Sequence, residues 1–239
     1  MTPSTGRNAS PGRVALAWGV HAFTASGAVV ATVALLAIAS GDFRSAVLLM
    51  LVALTIDAVD GTLARRVEVE RVLPSFDGRR LDDMVDYINY VLVPAVFLVA
   101  TGALSHWAWA ALPVLASAYG FSQSAAKTDD DFFLGFPSYW NVIAIYVWLL
   151  EVPPPWATAT IALFAALVFV PLKYVYPSKM PVLRRTTAAL ALGCTALVTY
   201  AVLNREQADS LHLVEISLLF PVYYLAVSWR FGGLHRADR

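Results

Sequence analysis

The stretch Asp57-Ala58-Val59-Asp60-Gly61-Thr62-Leu63-Ala64-Arg65, followed after twelve residues by Gly78-Arg79-Arg80-Leu81-Asp82-Asp83-Met84-Val85-Asp86, decides how this chain is read. It sets four aspartates, Asp57, Asp60, Asp82 and Asp86, in an apolar frame. A carboxylate at the centre of a hydrophobic span costs roughly 2.5–3.5 kcal/mol to insert, so it is rarely incidental. Four of them call for compensating positive charge, for which one or two divalent cations held by hard oxygen ligands are the obvious candidate.

The spacing favours a shared site. Asp57 and Asp60 are i and i+3, and Asp82 and Asp86 are i and i+4, so each pair shares one helix face. Two antiparallel helices can aim both pairs at a common point, where bound ions would clamp a phosphate. Gly61, Ala64 and Gly78 are small enough to let a bulky ligand approach the backbone. Arg65 offers a fixed positive charge suited to a phosphate or diphosphate. Each of these residues has a blander reading when taken alone. One Asp can be a packing polar group, Gly61 and Ala64 can be helix-packing residues, and Arg65 can be a membrane-surface anchor. Asp77 and Asp83 are expected to be loop or helix-start carboxylates. The joint pattern is what favours a metal-phosphate site.

Composition agrees with a membrane setting. The chain has 239 residues, 59% hydrophobic and 14% charged, with mean hydropathy +0.64. An ordinary soluble domain is about 25% charged. Net charge is zero, which gives no global basic signal for nucleic acid. Cys194 is the only cysteine, so a disulfide framework is excluded and a buried structural thiol is expected. Apolar runs of about 20 residues recur, as in a polytopic helical bundle. The expected helices are 14–39, 46–65, 82–103, 107–126, 139–151, 156–176, 186–203 and 211–229. The expected organisation is a flexible N-terminus over 1–13, one membrane-embedded domain over 14–231, and a short tail over 232–239. Ala37-Ile38-Ala39 could pass for a leader cleavage site, but the apolar stretch before it is too long for a signal core.

Lysine and arginine set the orientation. With eight spans and a cytoplasmic N-terminus, all of the 17 Lys and Arg residues except Arg44 and Arg205 fall on the cytoplasmic side. Both termini and all four aspartates are then cytoplasmic, facing soluble nucleotides and metal ions. His21 lies within the first span and is expected to be a hydrogen-bonded packing residue. Asp129-Asp130-Asp131 is expected to be a solvated acidic turn.

The aspartate string resembles the signature of the CDP-alcohol phosphatidyltransferases, integral membrane enzymes built on a six-helix core. The interval between Arg65 and Gly78 is longer than most members carry, and in this the chain is similar to the bacterial phosphatidylcholine synthases. Two further stretches resemble that branch: Phe76 to Tyr87, and Tyr119 to Thr128 running on to Gly135-Phe136-Pro137-Ser138-Tyr139-Trp140-Asn141. The resemblance implies an all-α bundle of about eight transmembrane helices, the core plus two. It implies transfer of a phosphatidyl group from CDP-diacylglycerol to choline, giving phosphatidylcholine and CMP. By the same resemblance Asp57, Asp60, Asp82 and Asp86 would bind metal, Mn²⁺ above Mg²⁺, with Asp86 also the general base. Asp60, Gly61, Ala64, Arg65 and Gly78 would bind the CDP-lipid. A homodimer in the bacterial inner membrane, surrounded by membrane lipid, is implied too.

Choline is a quaternary ammonium, and aromatic faces are its usual partners. The candidates are Tyr87, Tyr119, Tyr139, Trp140 and the nearby Asn141, with Tyr90, Phe121 and Phe136 also on the cytoplasmic side. Aromatics of the interfacial belt would occupy such positions in any case. Two alternatives stay open. The acceptor could be glycerol phosphate, inositol phosphate or serine. A cation transporter would instead place its acids near the bilayer midplane between two related halves, and no such repeat is visible.

Overall fold

Ser10 begins the first helix: its hydroxyl accepts the Arg13 N–H at 3.4 Å, and Pro11 takes the first helical position. The computed structural model describes residues 9–123, 128, 130–177 and 183–234. Expectations for residues 1–8, Lys127, Asp129, Lys179 and 235–239 lie outside the described residues. Helix α1 runs Pro11–Ala39, 29 residues, more than the roughly 20 that span a bilayer. Its buried positions, among them Ala17, Val20, His21, Thr24, Gly27, Ala31 and Ala34, recur every three or four residues. Mostly small, they make a face on which neighbouring helices pack closely.

A tight turn through Gly41 (φ +77°) reverses the chain. Asp42 caps helix α2 (Phe43–Val67), its carboxylate accepting Ser45 N–H at 3.0 Å. Glu68 closes α2 in the left-handed conformation. An ion pair of 2.9 Å from Arg13 to Glu68 then ties the start of α1 to the end of α2. Half-exposed, that pair adds at most about 1 kcal/mol.

Helix α3 spans Gly78–Ala100. Asp77 caps it, accepting Arg80 N–H at 3.0 Å, which fulfils the helix-start role expected of it. The helix was expected to start at Asp82; this cap moves the start back one turn, so Asp82 and Asp86 stand inside it. The helix is not uniform. Tyr87–Leu92 form a π turn, in which Val93 N–H reaches the carbonyl of Ile88, five residues back. Pro94 has no N–H to offer the Tyr90 carbonyl, so α pairing cannot continue there. The buried Asn89 amide donates to Val85 O and to Gly27 O, each at 3.0 Å, covering a carbonyl of α3 and fastening the turn to α1. At Gly27 the helices touch: a Cβ there would stand 2.7 Å from Val85 Cγ1.

The remaining helices of ten or more residues among the described residues are α4 (Ala111–Ser122), α5 (Trp140–Leu149), α6 (Pro154–Val168), α7 (Arg184–Leu203) and α8 (Leu213–Phe231). Each corresponds to one expected span. Among the described residues, five helices, α1, α2, α3, α7 and α8, are long and apolar enough to cross a membrane, and α5 and α6 are apolar but shorter. The chain is an all-α, multi-pass membrane bundle. Phe97, Trp140, Met50 and Ile161 are fully buried at its centre. Leu36, Leu192, Leu219 and Trp229 are exposed on the outside, as expected of residues that meet lipid.

One departure concerns the sixth span, expected to be helical through 176. Helix α6 ends at Val168, and Leu172–Val175 forms strand β2. It pairs antiparallel with β1 (Phe132–Leu134) and β3 (Gly233–Leu234), in the order β1-β2-β3. Pro171 stops the helix, and the strand finds partners from two distant segments.

Candidate active site

Helix α2 supplies Asp57 and Asp60, and α3 supplies Asp82 and Asp86. Asp57, Asp82 and Asp86, all half-buried, each place a carboxylate oxygen within 4.8 Å of the others. Oxygens sharing an ion at 2.0–2.6 Å lie no more than about 5 Å apart, so this trio fits a hard divalent cation. Asp60 stands apart from it. It is 4% exposed and turned to the Thr24 hydroxyl of α1, with Arg65 nearby. An i,i+3 pair is offset by about 60° around a helix axis, enough to send the two side chains to different neighbours.

The small motif residues have identifiable neighbours within the protein. A Cβ at Gly61 would stand 3.4 Å from Arg65 Nη1, an ordinary contact with the end of a flexible side chain. Arg65 folds back along α2, and its Nη2 donates to Thr62 Oγ1 at 3.1 Å. Ala64 packs on the buried cluster of Ala17, Val20 and Val69, where its size lets α1 and α2 approach. Gly78 lies under the imidazole of His21. That histidine packs against Phe76, with ring centroids 4.5 Å apart, and against Trp18. It was expected to be hydrogen-bonded. Its Nε2 is instead buried with no hydrogen-bond partner among the described residues.

Of the aromatic candidates, Tyr139 comes to the aspartates, lying within reach of the charges of Asp57 and Asp86. Tyr87 turns toward α4: its hydroxyl donates to Val114 O at 2.9 Å and its ring meets Phe121. Tyr119 is half-exposed against Phe169. Trp140 is fully buried and donates from Nε1 to Ser117 Oγ at 2.7 Å. Asn141 is buried, and its Oδ1 accepts from Val142 N–H at 2.9 Å. Tyr90 carries the direct contact, donating to Asp57 Oδ2 at 2.6 Å. Sequence reading placed it only among many aromatics. Tyr139 stands between Tyr90 (6.0 Å) and Tyr224 (5.8 Å), forming a row of tyrosines beside the acids.

A family model for the CDP-alcohol phosphatidyltransferases matches residues 21–172, from His21 through both aspartate pairs to β2. The chain belongs to this family. Curated relatives agree over most of their length. A phosphatidylcholine synthase of Legionella pneumophila is 41% identical over 225 residues, 89% of this chain and 87% of the relative. One from Borreliella burgdorferi is 32% identical over 216 residues, 89% and 92% of the two chains. One from Pseudomonas aeruginosa is 40% identical over 174 residues, 72% and 73% of the two chains. As a CDP-alcohol phosphatidyltransferase, the chain is an enzyme of phosphatidyl transfer, and its clustered aspartates are suited to a divalent metal.

Proposed function

We propose that this enzyme joins choline to the phosphatidyl group of CDP-diacylglycerol, releasing CMP. The observation that carries the chemistry is the convergence of Asp57, Asp82 and Asp86 within 4.8 Å. The choice of acceptor rests on the relatives named phosphatidylcholine synthase and on the aromatic wall of Tyr90, Tyr139 and Tyr224 beside the acids.

Asp57, Asp82 and Asp86 would hold a divalent cation, Mn²⁺ in this reading, with Asp60 the fourth carboxylate of the set. When bound, the cation neutralises the diphosphate and the charge that develops on departing CMP. Asp86 takes the choline hydroxyl proton. The choline oxygen forms its bond to the lipid-side phosphorus while the bond from that phosphorus to CMP breaks. No ATP is needed, because the diphosphate already holds the activated bond. The CDP moiety lies along Asp60, Gly61, Ala64, Arg65 and Gly78, where Arg65 is the exposed cation. Tyr139 faces the quaternary ammonium, a contact worth about 0.5–2 kcal/mol. We place the enzyme in the bacterial inner membrane as a homodimer, with both termini and the acids toward the cytoplasm, as the Lys/Arg asymmetry supports.

An acceptor panel tests this reading. Purified enzyme is given labelled CDP-diacylglycerol with choline, serine, glycerol 3-phosphate or inositol phosphate, with and without Mn²⁺. Label should enter lipid with choline and Mn²⁺ only. Incorporation of serine or glycerol 3-phosphate, with none of choline, rejects the assignment.

A further inference from the structure

The geometry points to Tyr90 as the positioning residue that fixes Asp57 for a divalent cation, an inference resting on the reading that Asp57, Asp82 and Asp86 hold such an ion. Tyr90 is 5% exposed, and its hydroxyl donates to Asp57 Oδ2 at 2.6 Å, from α3 across to α2. Phenol-to-carboxylate bonds of 2.5–2.7 Å belong to the strong, charge-assisted class. Such a bond occupies one lone pair of one oxygen and fixes the rotation of the carboxylate. The other oxygen then has a set direction relative to Asp82 and Asp86.

The fold holds the phenol in place. Tyr90 lies within the π turn Tyr87–Leu92, which begins directly after Asp86. Single π turns inside α-helices are frequent at functional sites. Asn89, its neighbour in the turn, is anchored to Gly27 O of α1 and to Val85 O. Tyr139 covers the Tyr90 ring edge-on at 6.0 Å. The π turn of α3 therefore follows directly on one cation-site carboxylate, Asp86, and carries the phenol that sets another, Asp57. The position of the acids is thus coupled between α2 and α3 by a buried bond as well as by the packing of the helices. Partners that orient a ligand in this way typically change metal affinity 10–100-fold when removed.

Mn²⁺ binding to the full-length protein in detergent tests this directly, read by electron paramagnetic resonance of the free ion, with no CDP-lipid and no acceptor present. Tyr90→Phe keeps the ring and removes the hydroxyl, and it should weaken Mn²⁺ about tenfold or more. Tyr200→Phe, which removes a hydroxyl bonded to Gln207, should leave it unchanged. The Tyr90→Phe effect should also vanish on an Asp57→Asn background, because the bond acts only through that carboxylate. In the wild type, adding Mn²⁺ should perturb the near-ultraviolet tyrosine spectrum, a readout that needs no variant to fold. A Tyr90→Phe affinity within twofold of wild type overturns the inference. A raised choline KM with unmoved Mn²⁺ affinity does so too, by giving the hydroxyl a part in holding the acceptor rather than in fixing Asp57. A wild type that binds no Mn²⁺ removes the cation reading itself, whereas failure of the acceptor panel alone leaves Tyr90's part standing.

Discussion

The backbone of Gly78 lies against the imidazole of His21, so closely that a methyl group at Gly78 would stand 2.7 Å from His21 Cε1. The contact joins the first residue of α3 to the middle of α1, one turn before Asp82. Gly78→Ala should therefore push α3 off α1 and displace Asp82 and Asp86. Overpacking of this kind costs typically 1–3 kcal/mol. Thermal unfolding in detergent and CMP release should both fall in Gly78→Ala. Adding His21→Ala, which removes the ring the methyl meets, should restore much of each. If nucleotide contact alone demanded the glycine, the second change would restore nothing.

Asn89 makes two bonds that nothing apolar can replace. Asn89→Leu would leave the carbonyls of Gly27 and Val85 without that donor inside the bundle. Both carbonyls belong to helices, so each loss is that of one hydrogen bond, about 0.5–1.5 kcal/mol. The variant should unfold at a clearly lower temperature and lose Mn²⁺ affinity as the π turn relaxes. Asn89→Asp, which keeps the shape but not the donors, should behave in the same way.

Asp130 and Lys173 tie the end of the acidic turn to β2 with an ion pair of 2.7 Å. The Lys173 hydrogen bond holds the Asp130 carboxyl below its ordinary range. A carboxyl lowered by folding adds stability that is present above the unfolded value, about 3.9, and is lost as pH falls through the folded value. The Asp130 side chain is 56% exposed, so the contribution is screened to no more than about 1 kcal/mol. Asp130→Asn should be slightly less stable at pH 7, and the gap should close as the pH is lowered below 4. High salt should narrow it as well.

The helices were legible because each is an apolar run bounded by a charge cluster, Pro or Gly, although only five of those described are long enough to cross a membrane. The aspartate pairs were legible because a carboxylate in such a run stands out. The β1-β2-β3 sheet was not legible. Its strands are two to four residues long and lie at 132–134, 172–175 and 233–234, so their pairing is a tertiary fact that local sequence does not carry. The π turn was hidden for a related reason: Pro94 was visible, but the shift in hydrogen-bond register depends on Asn89 finding Gly27 on α1. Asp60 matched the motif in spacing, yet the direction of its side chain was decided by Thr24. Tyr90 looked like any interfacial aromatic until the packing of α3 on α2 brought its hydroxyl to Asp57.

In the proposed reaction Asp57, Asp82 and Asp86 form one cation site in which Asp86 takes the acceptor's proton. The most direct measurement is choline-dependent CMP release from CDP-diacylglycerol by Asp86→Asn, with Mn²⁺ affinity measured on the same preparation. Mn²⁺ should still bind while turnover falls by about 10²–10⁴-fold, the usual contribution of a positioned base. Turnover equal to wild type in Asp86→Asn would contradict that role.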